Sequence, residues 1–223
     1  MSLFDKIPRL FQKKRKNILR SKYLHREYQF EFVTFPISKT DKVLDLGSGN
    51  HPFALATHLS DLYIDDHSHR GGSSIARDDR PFSVVDIESL PFKDKEFDFV
   101  YCSHVLEHVK NPGIACRELM RVGARGYIET PTRTSDIMYN YTYLHSWHIS
   151  IIGSTFIFIP YSEREKKGTG SKEFESQMRS PYQNHFNSLV YKNRDLFCNM
   201  LVWENKFDFI VFDVEGNIID SSK

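Results

Sequence analysis

Val43-Leu44-Asp45-Leu46 is a short apolar run that ends in Gly47-Ser48-Gly49, the pattern of a buried strand feeding a tight turn. A second strand is expected within Ala56–Ile64 and a third over Phe82–Asp86. A fourth is expected over Phe97–Cys102, where apolar and polar residues alternate among strong β-formers. Val105–Val109 and Gly113–Val122 read as helical, with Asn111-Pro112 between them, and Gly126–Glu129 reads as a fifth strand stopped before Pro131. Short strands alternating with turns and helices predict a mainly parallel sheet, whose ligand crevice lies beyond the carboxyl ends of the strands. Beyond Pro131 the pattern changes. Ile149–Ile152, Gly153-Ser154 and Thr155–Ile159 predict a β-hairpin, residues 162–180 are polar enough for a loop or lid, and Leu201–Trp203 with Phe207–Phe212 predict a closing pair of strands.

Composition narrows the class. The chain has 223 residues, 40% hydrophobic and 14% aromatic, enough material for one sizeable core and unlike a disordered or fibrous chain. No apolar run reaches the length of a membrane span, and no secretory leader is read at the N-terminus. Three cysteines without close pairing (Cys102, Cys116, Cys198) read as reduced thiols of a cytoplasmic protein, with no metal expected. Charge is uneven. Residues 1–26 hold nine basic side chains against Asp5 alone, so the remainder is acidic although the formal net charge is +1. Leu3, Phe4, Ile7, Leu10 and Phe11 fall at helical spacing ahead of the Lys13–Lys16 run. Residues 1–36 therefore read as a basic amphipathic arm, either a solvated cap or a peripheral contact with an anionic membrane. Residues 37–223 read as the main domain: a core over 41–131, a substrate cover over 132–200 and closing strands over 201–215.

The chemistry concentrates at the strand ends. Gly47 and Gly49 let backbone approach a ligand closely. A carboxylate at the end of the second strand can accept hydrogen bonds from two ribose hydroxyls. Asp61 fits if that strand is Ala56–Ser60, and Asp65 fits if it is Leu59–Ile64. Asp86, followed by Ile87, ends the third strand, where it can accept from an exocyclic amine. Leu90-Pro91-Phe92, the fourth strand and Ser103-His104-Val105-Leu106-Glu107-His108 complete the series. A dinucleotide fingerprint is absent, because Pro52 stands where its third glycine belongs.

This ordered set, over residues 41–131, resembles the class I S-adenosylmethionine (SAM)-dependent methyltransferases, in the branch that reads DxGxG, D…LPF and SHVLEHV. The resemblance implies an α/β Rossmann-like three-layer sandwich with a mostly parallel seven-stranded sheet, here with a shortened first crossover and a C-terminal hairpin and lid. It implies SAM as methyl donor and S-adenosylhomocysteine as product. By position, Asp45, Gly47, Ser48, Gly49 and Asn50 would cradle the amino-acid part, Asp61 or Asp65 the ribose and Asp86 with Ile87 the adenine. Ser103 would lie beside the methionine moiety. Gly47–Pro52, Ser103–Val109, Glu118–Pro131 and His145–His148 are also similar to a subgroup encoded with glycosyltransferases, which implies a sugar or polysaccharide hydroxyl as acceptor.

Transfer to a hydroxyl needs alignment and removal of a proton. His104 is the first candidate for base or substrate positioner, Glu129 for orienting a histidine or binding a hydroxyl, and His145 for the substrate side. His185 is a weaker candidate, and His108 reads as a helix-packing residue. Trp147 either stacks on a sugar ring or anchors the hairpin. Two other readings compete: an RNA-binding methyltransferase using the basic arm, disfavoured by the acidic body, and a non-catalytic partner of the same fold. The oligomeric state is left open.

Overall fold

The computed structural model describes residues 28–66, 72–167, 176, 189, 190 and 192–223. The basic arm over 1–26, most of the polar stretch after residue 167 and His185 lie outside them. The chain is α/β, with a central, mostly parallel, Rossmann-like sheet.

Strands β1 (Val43–Leu46), β2 (His58–Asp61), β3 (Phe82–Val84), β4 (Phe97–Ser103) and β5 (Gly123–Pro131) run parallel, and β8 (Cys198–Glu204) closes the edge antiparallel to β5. The order is β3-β2-β1-β4-β5-β8, so among the described residues this sheet has six strands against the expected seven. The chain winds outward from β1 to β3 and then returns to place β4 on the other side of β1. That switch point puts a crevice above the carboxyl ends of β1 and β4.

The remaining strands form a second sheet of order β10-β9-β7-β6: β6 (Trp147–Ile152), β7 (Thr155–Pro160), β9 (Asp208–Phe212) and β10 (Ile218–Ser221). The expected hairpin is β6–β7, turning at Gly153-Ser154. The expected closing pair is corrected: Leu201–Trp203 belongs to the main sheet, whereas Phe207–Phe212 supplies β9, which runs parallel to β7 in the second sheet.

The second sheet takes the place of a helical layer. Trp147, Ile149, Phe156, Phe158, Phe209 and Val211 pack into one core with Leu44, Val100 and Ile128 of the main sheet. The helix Pro112–Val122 joins this core through Ala115, Cys116, Leu119 and Val122, a buried stripe at helical spacing, with Pro112 in the first turn where no backbone donor is needed. Among the described residues, aromatic side chains cover the opposite face. Phe53 stacks on Tyr101 at a centroid distance of 4.0 Å, and Phe35 packs edge-on to Tyr127 at 5.0 Å. Each such burial contributes about 1.5–3 kcal/mol.

Two local departures position the site. The first crossover contains no helix: residues 47–57 are turns, and Asp45 Oδ2 accepts from the Phe53 amide at 2.7 Å. The expected helix over Val105–Val109 is also absent; the segment is a compact turn. Only seven residues separate Ser103 from Asn111, too few for a stable helix, and the chain leaves β4 through His104 at φ 58°.

Candidate functional site

A cavity of about 270 Å³ opens at the switch point. Its floor is the carboxyl end of the sheet: Leu46 of β1 and Gly47 after it, Ser60 and Asp61 of β2, Asp86 and Ile87 after β3, and Ser103 of β4. Its rim carries Tyr63, Glu88, His104, His108 and Lys110.

The turn after β1 is built for close approach. Gly47 has φ 72° and Gly49 has φ 54°, left-handed conformations that favour glycine. A Cβ on Gly47 would fall 2.4 Å from Val105 Cγ2, so the turn and the β4 exit loop touch where a side chain would wedge them apart. The Ser48 amide donates to Ser60 O at 2.8 Å and the Gly49 amide to Asp61 Oδ2 at 3.0 Å, which ties the turn to β2.

The expected cofactor residues separate into two groups. Gly47, Gly49, Asn50, Asp61, Asp86, Ile87 and Ser103 line the cavity together. Asp45 and Ser48 are buried behind it, and Asp45 shapes the turn from beneath. Asp65 is exposed and off the lining, because β2 ends at Asp61; of the two alternatives for the second-strand acid, the geometry favours Asp61. Ser103 Oγ is buried and meets no hydrogen-bond partner among the described residues, the signature of a polar group that awaits a ligand or water.

Behind the rim lies a buried polar network. Glu129 accepts from the Tyr28 hydroxyl, from Gln29 Nε2 at 2.8 Å and from the Tyr127 hydroxyl, and its Oε1 lies 3.0 Å from His104 Nε2. His104 Nδ1 faces Glu107 Oε1 at 3.3 Å. Burial opposes charge on His104, but Cys198, Glu107 and Glu129 outweigh it and hold its pKa well above the ordinary histidine value. Burial likewise works against the Glu129 carboxylate, yet His104, Tyr127 and Tyr28 lower its pKa to about 2. This direction, with both ring nitrogens facing carboxylates, suits a positioning role for His104. Glu129 and His145 do not line the cavity. His145 is buried with Nδ1 2.9 Å from Asp136 Oδ1, and Asp136 Oδ2 accepts from the Tyr161 hydroxyl at 2.7 Å. Trp147 is a hairpin anchor and not a stacking platform: it is buried and donates Nε1–H to Val109 O at 2.8 Å.

Sequence reasoning missed Tyr63 and Lys110 on the rim and the pair Tyr28–Gln29 behind it. It gave His108 a packing role where the structure places it at the cavity. The SHVLEHV spelling is the signal for His108; nothing local links Tyr28 to Glu129, a separation of 101 residues.

Residues 44–128 match the model of a family described as "Methyltransferase domain". Over that span, about two fifths of its length, the chain is similar to methyltransferase domains. No curated protein matches the chain. Among solved structures, the [4+2]-cyclase SpnF is 26% identical over 42% of this chain and 39% of that one, with a TM-score of 0.32, so the chain spans about two fifths of the cyclase. A chain from the complex between the Haloferax volcanii Trm112 methyltransferase activator and a putative methyltransferase is 13% identical over 86% of this chain and 94% of that one, with a TM-score of 0.49. YcgJ of Bacillus subtilis is 16% identical over 80% and 96%, with a TM-score of 0.42.

The chemistry of the cavity lining fits SAM, the cofactor that the resemblance implies. It offers two carboxylates on neighbouring strand tips for hydroxyl and amine donors, a glycine turn for close backbone approach and a buried serine hydroxyl in want of a partner. Among the described residues no helix is long and apolar enough to cross a membrane.

Proposed function

We propose that the chain transfers the SAM methyl group to a hydroxyl of a small molecule or glycan. The observation that carries this reading is the meeting of the 47–50 turn, Asp61, Asp86 and Ser103 around one cavity whose rim is polar. Its size, near the lower end of small-molecule sites, suits the cofactor, with the acceptor entering over the rim.

When bound, SAM supplies a methyl group already activated on a sulfonium. The protein's part is alignment. Asp61 and Asp86 would hold the nucleoside, and Gly47, Gly49 and Asn50 the amino-acid end. Ser103 would fix the region beside the reacting methyl. His104, held between Glu107 and Glu129, would act as a positioning residue that shapes the rim. The likeness of His145–His148 and Glu118–Pro131 to the glycosyltransferase-associated subgroup supports a sugar or polysaccharide precursor as acceptor. The excess positive charge of residues 1–26 supports peripheral contact with an anionic membrane or a lipid-linked acceptor, and three buried cysteines without close spacing in the sequence suit a cytoplasmic location.

Methyl-labelled SAM incubated with panels of sugars, lipid-linked glycans, peptides and RNA tests the reading. Label retained on a glycan or small-molecule hydroxyl supports it. Label on peptide or RNA alone, or on nothing in any panel, contradicts it.

A further inference from the structure

Glu107 is the least expected group in the molecule. Its side chain is almost fully buried; Oε1 faces His104 Nδ1 at 3.3 Å, a histidine it shares with Glu129, and Oε2 has no hydrogen-bond partner among the described residues. Buried carboxylates without hydrogen bonds are costly unless they are paired or bind a cation. Two more candidate ligands stand beside it. One ligand atom each from Glu107, His108 and His145 lie within 4.8 Å of one another. The two imidazole rings meet nearly perpendicular at a centroid distance of 4.7 Å.

The frame around these three side chains is firm. The Ser146 amide donates to Glu107 O at 2.8 Å, and Trp147 Nε1–H donates to Val109 O at 2.8 Å, so the segment carrying His145 is fastened to the turn carrying Glu107 and His108. Asp136 stands behind His145 Nδ1 at 2.9 Å and is itself held by Tyr161. A carboxylate beside a histidine is the usual outer support of a ligating imidazole. His108 lines the cofactor cavity, so the cluster has an entry path and an open side.

We propose that Glu107, His108 and His145 bind one divalent first-row metal ion next to the cofactor cavity. One oxygen and two imidazole nitrogens suit Zn²⁺, Mn²⁺, Fe²⁺ or Co²⁺, with the open position toward the cavity for water or an acceptor oxygen. A second cluster, His104, Glu129 and Cys198, also gathers three possible ligands. It is the weaker site, because Glu129 already takes hydrogen bonds from Tyr28, Gln29 and Tyr127. The inference does not depend on which acceptor is methylated.

The two clusters differ in sulfur, which makes the test decisive on the unaltered full-length protein. Metal-stripped protein titrated with Co²⁺ is expected to bind one equivalent with d–d absorption and no thiolate charge-transfer band. The zinc-loaded protein is expected to give an X-ray absorption first shell of nitrogen and oxygen only. His108→Asn, a change at the rim, is expected to weaken Co²⁺ binding by at least about 10-fold while the circular dichroism and thermal midpoint stay near those of the parent. No stoichiometric Co²⁺ or Zn²⁺ binding overturns the proposal. So does a sulfur ligand, or binding that His108→Asn leaves unchanged.

Discussion

His104 and Glu129 sit 25 positions apart in sequence, yet the histidine Nε2 is 3.0 Å from the carboxylate Oε1, and the His104 amide donates to Glu129 O at 2.8 Å. The double link holds the exit of β4 against the end of β5 at the cavity edge. It is possible because β4 and β5 pair in register, Ser103 opposite Glu129.

Glu129 anchors that link with four donors around one buried carboxylate. Glu129→Ala leaves those donors unmatched and is expected to destabilise the fold by about 3–5 kcal/mol. Tyr28→Phe removes a single donor and should cost about 1–3 kcal/mol. Urea denaturation of both variants checks the order; equal stability of Glu129→Ala and the parent would refute it.

Gly47→Ala meets two obstacles, the left-handed backbone and the Val105 methyl at 2.4 Å. The expected loss is about 1–3 kcal/mol of stability together with weakened cofactor binding. Adding Val105→Ala should recover part of both, measured as thermal midpoint and SAM affinity of the single and double variants.

Glu88 gives a pH signature. Burial raises its pKa, but Asn111 Nδ2 and the Asn111 and Lys110 amides, at 2.6, 2.9 and 2.6 Å, outweigh burial and leave it below the ordinary carboxylate value. Its stabilisation is thus present above the unfolded-state pKa and lost as pH falls through the folded one. The stability gap between the parent and Glu88→Gln should be full at pH 7 and shrink steadily below about pH 4. A gap that is constant over that range would contradict this role for Glu88.

The parallel core was readable in the sequence because β1, β4 and the Gly47–Gly49 turn carry local signals: β-forming runs, glycines at left-handed positions and acids at strand tips. The second sheet was not. Whether Phe207–Phe212 pairs with Leu201–Trp203 or with β7 depends on contacts some fifty residues away, and a strand pattern does not name its partner. The turn over residues 105–109 has helix-forming residues but too little length before Pro112. The Tyr28–Gln29 support of Glu129 exists only once the chain has folded over the face of the sheet.

Titration of S-adenosylhomocysteine into the full-length protein, by calorimetry, tests the central claim most directly, with Asp86→Ala as the companion. Asp86 is exposed, so its removal should leave the fold intact. The account predicts one site per chain on the parent and an affinity lower by about 10-fold or more on Asp86→Ala, the loss of a hydrogen bond to a charged group. Absence of binding at millimolar ligand, or equal affinity for the two proteins, would contradict it.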